Sequence, residues 1–187
     1  MKYLTSEELE AGLDGIRQSP KDKGVLKLIV RRPKAGEREV LEEGELNPAE
    51  GLVGDNWSER GSSRTPDGAA NPGTQLTIIN SRVIALVAQD KNRWQPAGDQ
   101  LFIDMDLSAE NLPPGTRLEL GSAVIEVTGE PHTGCKKIMA FFGLDAMKFI
   151  NSSIDKQLKP RGINARVICA GAIRVGNAAK KILFNHA

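Results

Sequence analysis

The stretch "TRLELGSAVIEVTGEP", residues 116–131, alternates apolar and polar side chains on both sides of Gly121-Ser122. Alternation with a period of two marks a strand with one buried face, and a Gly-Ser pair between two such runs marks a hairpin turn. A chain that carries this hairpin must bury one face of a sheet and dispose of the sheet's edges, which closure into a barrel does most completely. The second arm runs directly into "GEPHTGCKK", residues 129–137, which holds His132, Cys135, Lys136 and Lys137.

Other segments fill in around this hairpin. Thr5 and Glu8 form a capping-box pair ahead of the stripe Leu9, Leu13 and Ile16, so a helix is expected over about 5–19, ended by Pro20, with Leu4 stapled onto Leu9. "GVLKLIVRRP" (24–33) and "REVLEE" (38–43) read as a second hairpin. Residues 51–74 are rich in Gly, Ser, Pro, Asn and Asp without a helical or strand period, which predicts a long mobile loop over a site. "QLTIINSRVIALVAQ" (75–89) opens as a strand and continues as a helix capped by Asn80 or Ser81. A strand with Phe102 among acids follows, stopped by Pro-Pro-Gly. Two helices are expected over Lys136–Phe142 and Leu144–Ser152, with Met139, Phe142, Met147, Phe149 and Ile150 as core. "GINARVICAGAIRVG" (162–176) reads as a strand that turns at Ala170-Gly171 and resumes, leaving a short tail after Gly176. The fold class expected from this pattern is mainly β with flanking helices, a β-barrel in one domain whose core spans about 24–177.

Charge is unevenly spread. Residues 131–187 hold ten Lys/Arg against Asp145 and Asp155, about +8, although the whole chain carries only +1. An anionic ligand near Cys135 or a solvated basic face both fit this asymmetry. Nucleic acid is not expected, because no helix-turn-helix, zinc finger or RNP pattern occurs. The longest apolar runs, such as "VIALVA" (83–88), are too short to span a membrane, and "MKYLTSEELE" lacks the features of a secretory or transit signal, so the expected location is cytoplasmic. In a reducing cytosol Cys135 and Cys169 are expected as thiols, and two thiols alone cannot complete a structural zinc site. Cys169, inside "ARVICAG", reads as a packed strand thiol.

For Cys135 two readings stay open. At the start of a helix, beside Lys136, Lys137 and His132, a thiol is favoured as thiolate and becomes a nucleophile or metal ligand. Alternatively it is a small buried hydrophobe and His132 a satisfied surface residue. A Cys–His hydrolase lacks any marked third residue to orient the imidazole. In "PRGINARV", Arg161, Asn164 and Arg166 offer anion contacts, with Gly162 permitting close backbone approach, or else form a turn and strand edge. Asp99, Asp104, Asp106 and Glu110 lack the spacing of a calcium loop.

"GDQLFIDMDLSAENLPPGTRLELGSAVIEVTGEPHTGCKKI" followed by "PRGINARVICAGAIRVGN" resembles a MOSC domain, the C-terminal domain type of molybdenum cofactor sulfurases, over roughly Asn71 to Asn177. The resemblance implies a barrel with flanking helices, of the pyruvate kinase β-barrel-like kind, in the small stand-alone bacterial form. It implies that Cys135 either carries sulfur as a persulfide or ligates molybdenum in a molybdopterin-type cofactor. Arg161, Arg166, Lys136 or Lys137 would then hold the cofactor's phosphate, with His132, Thr133, Asn111 and Asn164 lining the pocket. A full cofactor sulfurase also has a pyridoxal-phosphate desulfurase domain, which this chain is too short to contain, so no pyridoxal phosphate site is expected. The partner implied is a cysteine desulfurase that loads Cys135, or an electron donor if N-hydroxylated substrates are reduced. The other class of function is a non-catalytic module docking an anionic ligand or a protein through the basic C-terminal face.

Overall fold

The computed structural model describes residues 3–133, 136–152, 158 and 160–183, with the side chain of Lys136 also outside the description. The N-terminal capping box forms as expected: Glu8 N–H donates to Thr5 Oγ1 and Thr5 N–H to Glu8 Oε2. It opens α1 (Ser6–Ala11), and α2 (Leu13–Arg17) follows. The single helix expected here is broken at Gly12, whose backbone lies so close to Leu86 that a Cβ would sit 2.5 Å from its side chain. Strand β1 (Lys23–Arg31) pairs with β2 (Glu39–Leu41) as the expected hairpin, and β3 (Glu43–Asn47) and β4 (Gly51–Leu52) follow.

The segment read as a structureless loop contains β4, helix α3 (Trp57–Arg60) and a 3₁₀ turn at Pro72–Thr74. Its order comes from distant partners, not from local periodicity. Asp55, buried, accepts hydrogen bonds from Arg32 N, Nε and Nη2 and from Trp57 N.

Strand β5 (Leu76–Asn80) passes into α4 (Ser81–Ala88), with the Asn80 side chain accepting from Arg82 N–H as the cap. Because β5 and β6 (Leu101–Asp104) run parallel, the chain needs a crossover between them, and α4 supplies it. Then come β7 (Arg117–Leu120) and β8 (Ala123–Val127), joined at Gly121-Ser122 with Gly121 at φ +61°. Helices α5 (Lys136–Phe142) and α6 (Leu144–Asn151) precede β9 (Ile163–Cys169), β10 (Gly171–Arg174) and β11 (Ala178–Ile182).

Seven strands close a barrel in the order β1, β11, β7, β8, β9, β5, β6 and back to β1. The closing strand is the segment read as a tail after Gly176. Its sequence, AAKKI, has little β propensity, but pairing with β1 on one side and β7 on the other satisfies its backbone. Strands β3, β4 and β10 form a small separate sheet.

Two cores result. Leu26, Ile29, Leu76, Ile78, Leu101 and Ile103 fill the barrel with residues of β7, β8 and β9. Leu28, Val30, Ile79 and Phe102, from the opposite faces of β1, β5 and β6, pack against the helices. These strands therefore read as continuous apolar runs, whereas β8 alternates buried and half-buried positions. The helical stripe is core at Phe142, Phe149 and Ile150, but Met139 is 40% exposed, since α5 meets the core along Ile138 and Phe142. Cys169 is exposed, not packed. It ends β9 opposite Val124, beyond a register shift that interrupts the in–out alternation carried by Ala165 and Val167. Among the described residues no helix is long and apolar enough to cross a membrane.

Candidate functional site

The segment leaving β8 (128–133), the segment entering β9 (160–164) and the end of α6 enclose a cleft of about 310 Å³. Gly162 makes this meeting possible. At φ +101° it passes over β5 so closely that a Cβ would lie 1.9 Å from the Ile78 carbonyl oxygen. Asn164 then ties the walls together: its backbone oxygen accepts from Thr128 N–H, and its Nδ2 donates to the Glu130 carbonyl.

Passage over Ile78 sets Arg161 against Asp99, the residue after a left-handed Gly98 and two before β6. Both are buried. Arg161 Nη1 lies astride the carboxylate, 2.8 Å from Oδ1 and 2.7 Å from Oδ2, and Nη2 donates to the Ala97 carbonyl. Arg161 Nε is buried and has no hydrogen-bond partner among the described residues. His132 Nε2 lies 3.5 Å from Asp99 Oδ1, and its Nδ1 is likewise buried and without a partner among the described residues. Two nitrogens without partners in one cleft are notable because buried polar atoms are nearly always hydrogen-bonded.

Burial, then the nearby Arg161 and Arg32 charges, hold the His132 imidazole well below its ordinary value of 6.5, so it is neutral at neutral pH. Burial pushes the Asp99 carboxyl upward, against the pull of Arg161 and Arg32. The signs differ for stability. The unfolded chain protonates His132 from about pH 6.5 downward while the folded protein does not, so stability falls as pH falls. Asp99 has the opposite slope. The histidine contribution is isolated by comparing wild type with His132→Gln. The wild type is expected to lose about 1.4 kcal/mol more than the variant between about pH 7.5 and about pH 5.5, read by denaturant unfolding.

Of the residues predicted from sequence, the structure brings His132, Thr133, Arg161 and Asn164 to one cleft. Cys135 and the Lys136 side chain lie outside the described residues. Three others go elsewhere. Asn111 is a structural residue, donating from Nδ2 to the Lys21 and Asp106 carbonyls, because the turn after β6 must be tied to the N-terminal segment. Arg166 pairs with Glu126 and lines an adjoining groove, since it lies on the same face of β9 as Asn164 but two residues, about 6.6 Å, further along the strand. Glu126 is thereby held below the usual carboxylate range by hydrogen bonds from Arg117 and Arg166. Lys137 opens onto a separate cleft.

Asp99 is the site residue that sequence reasoning missed. It reads there as one of several acids between strands; its companions Asp104 and Asp106 bond Arg82 and Ser108 N–H instead. Nothing local distinguishes it, since its partners lie 33 and 62 positions away in sequence.

No protein-family model matches the chain, and no curated protein matches it in sequence. Solved structures do match in fold. The YuaD protein from Bacillus subtilis is 14% identical, with a TM-score of 0.64 over 87% of this chain and 97% of that one. YiiM from Escherichia coli is 18% identical, with a TM-score of 0.53 over 86% of this chain and 71% of its own. YiiM from Geobacillus stearothermophilus is 14% identical at the same TM-score of 0.53, over 88% and 75%. The likeness is one of architecture: a mixed seven-stranded barrel with flanking helices, the MOSC-like barrel.

Proposed function

We propose that this chain is a MOSC-type protein acting through the Cys135 thiol, with the cleft under residues 128–133 receiving a molybdopterin-type cofactor. The observation that carries this reading is the pair of nitrogens without partners among the described residues, His132 Nδ1 and Arg161 Nε, on side chains that line the cleft beside the segment that leads into Cys135. A heterocycle rich in nitrogen and oxygen satisfies both, and Thr133 and Asn164 add polar groups to the same cleft.

The fit is to the ring system more than to its phosphate. Arg161 is already paired with the buried Asp99, and Arg166 shares Glu126 with Arg117, so each guanidinium is engaged before any phosphate arrives. When bound, the cofactor would supply a soft metal centre for which a thiolate is a suitable ligand. The chain's own residues do the rest. His132, neutral with Nε2 facing Asp99, keeps a lone pair on Nδ1 that can accept a hydrogen bond from a thiol or from a bound ligand. Asp99 holds Arg161 in place, and Asn164 fixes the strand exit from which His132 projects.

In this reading Cys135 either ligates molybdenum or carries sulfur as a persulfide loaded by a separate desulfurase in the cytosol. The test is molybdenum analysis, with pterin fluorescence after oxidation, on wild type and Cys135→Ser purified from a host that makes the cofactor. Stoichiometric metal in the wild type and its loss in the variant are expected if Cys135 is a ligand. Metal absent from both leaves the persulfide, sought by mass spectrometry after desulfurase treatment. A Cys135 that neither holds metal nor takes sulfur overturns the proposal in favour of a non-catalytic module.

A further inference from the structure

A second cleft, of about 330 Å³, lies on the far side of the Gln95–Ala97 turn and is lined by Gly36, Arg38, Gln95, Pro96, Lys137 and Phe141. It shares no lining residue with the cleft of His132 and Arg161. Among the described residues lining it there are two cations and no carboxylate.

The surrounding charge is unbalanced. Arg32, Arg38, Arg60 and Arg161 interact electrostatically with Asp55 and Asp99. Arg32 takes Asp55 and Arg161 takes Asp99, each through paired hydrogen bonds. Among the described residues Arg38 Nη1 donates to the Glu37 carbonyl, and its Nε is buried without a partner. Partial desolvation, followed by the charge of Arg32, pushes the Arg38 guanidinium below its ordinary range against the pull of Asp55 and Asp99, and burial and Arg32 act likewise on Arg60. A guanidinium does not give up its proton at physiological pH, so Arg38 remains a partly desolvated cation lining the cleft.

Apolar side chains line the same cleft, one of them a helical turn from Lys137 on α5. Phe141 is 47% exposed, an unusual position for a large aromatic, and Pro96 lies beside it in the lining. The volume falls within the range of small-molecule sites, which pair an apolar wall with a few placed polar groups.

We propose that this cleft is a binding site for a small carboxylate with an aromatic or similarly flat apolar body, the carboxylate on Arg38 and Lys137 and the body against Phe141 and Pro96. Arg38 offers a planar fork for the carboxylate, and Lys137 adds a point charge. This assignment stands apart from the reading of Cys135, because it uses none of the residues of the first cleft.

Benzoate is the probe, with benzyl alcohol as its uncharged counterpart and inorganic phosphate as an anion without the ring. Dissociation constants from ligand-observed NMR are expected to be about tenfold or more weaker for benzyl alcohol than for benzoate. Arg38→Gln and Lys137→Gln are each expected to weaken benzoate about tenfold, and Phe141→Ala to weaken benzoate while sparing phosphate. His132→Gln should leave benzoate affinity unchanged. Equal affinity for benzoate and benzyl alcohol overturns the proposal, as does unchanged affinity in the Arg38→Gln/Lys137→Gln double variant. Phosphate binding without benzoate binding overturns it too, by removing the aromatic half of the recognition.

Discussion

Asp99→Ala is expected to destabilise the folded protein by about 3–5 kcal/mol, because it leaves the Arg161 guanidinium buried without a counter-charge. Arg161 cannot escape this by losing its proton, and its remaining contact, Nη2 to the Ala97 carbonyl at 3.3 Å, is a weak substitute. A loss of that size is a large fraction of the stability of an ordinary domain. Equilibrium unfolding in denaturant is the measurement. The double variant Asp99→Leu/Arg161→Met is expected to recover most of the loss, since apolar residues can replace a buried pair at little cost. If Asp99→Ala instead costs less than about 1 kcal/mol, Arg161 must be finding water, and the cleft is wetter than its burial indicates. The same substitution bears on function, since it removes the carboxylate facing His132 Nε2 and with it the preference for a free Nδ1.

Gly162→Ala is expected to be comparably damaging, for steric and not electrostatic reasons. The new Cβ would lie 1.9 Å from the Ile78 carbonyl oxygen and 2.9 Å from its carbon, both backbone atoms of a strand inside the barrel. Retreat is blocked, because Ile78 pairs with Leu101 of β6 on one side and with Ile163 of β9 on the other. The φ of +101° adds strain of about 1–3 kcal/mol for any residue with a side chain, and the overlap adds about 1–3 kcal/mol more. Thermal denaturation should show a large drop in Tm or failure to accumulate folded protein. By contrast Gly115→Ala also meets a positive φ, +89°, but nothing within 4 Å, so it is expected to cost only the backbone strain. Equal effects at the two glycines would mean that Gly162 is required for its φ alone and not for the close passage over β5.

Much of the architecture was legible because its signals are local. The Gly121-Ser122 hairpin, the Thr5–Glu8 capping box and the Asn80 cap each depend on residues within a few positions of one another, and each appears in the structure where the spacing predicts it. The cluster of His132, Thr133, Arg161 and Asn164 was legible in part for a related reason. Strands β8 and β9 alternate, pair and carry those residues at their adjoining ends, so a reading of the two strands already brings the two short motifs near each other.

What failed to show was set at long range. Strand β11 looks like a tail because alanines and lysines do not prefer a strand; only closure against β1 and β7 makes one of it. Residues 51–74 look structureless because their order depends on Arg32 and Asp55, 23 positions apart. Asn111 was placed at the site through the family resemblance and Arg166 by its residue type, and the anchor of the turn and the distance along β9 took them away from it.

The sequence by itself determined a barrel-forming pattern of strands, the places of α4, α5 and α6 and the start of α1, and a polar segment leading into Cys135, because periodicity and capping act between near neighbours. Tertiary structure alone decided that Asp99 would neutralise Arg161 and face His132, leaving one nitrogen of each without a partner among the described residues in a common cleft. It also brought Arg38 and Lys137 together with Phe141 in a second cleft whose described lining has no carboxylate. Charge compensation depends on which groups the closed barrel brings within a few ångströms, and no local period in a chain encodes that distance.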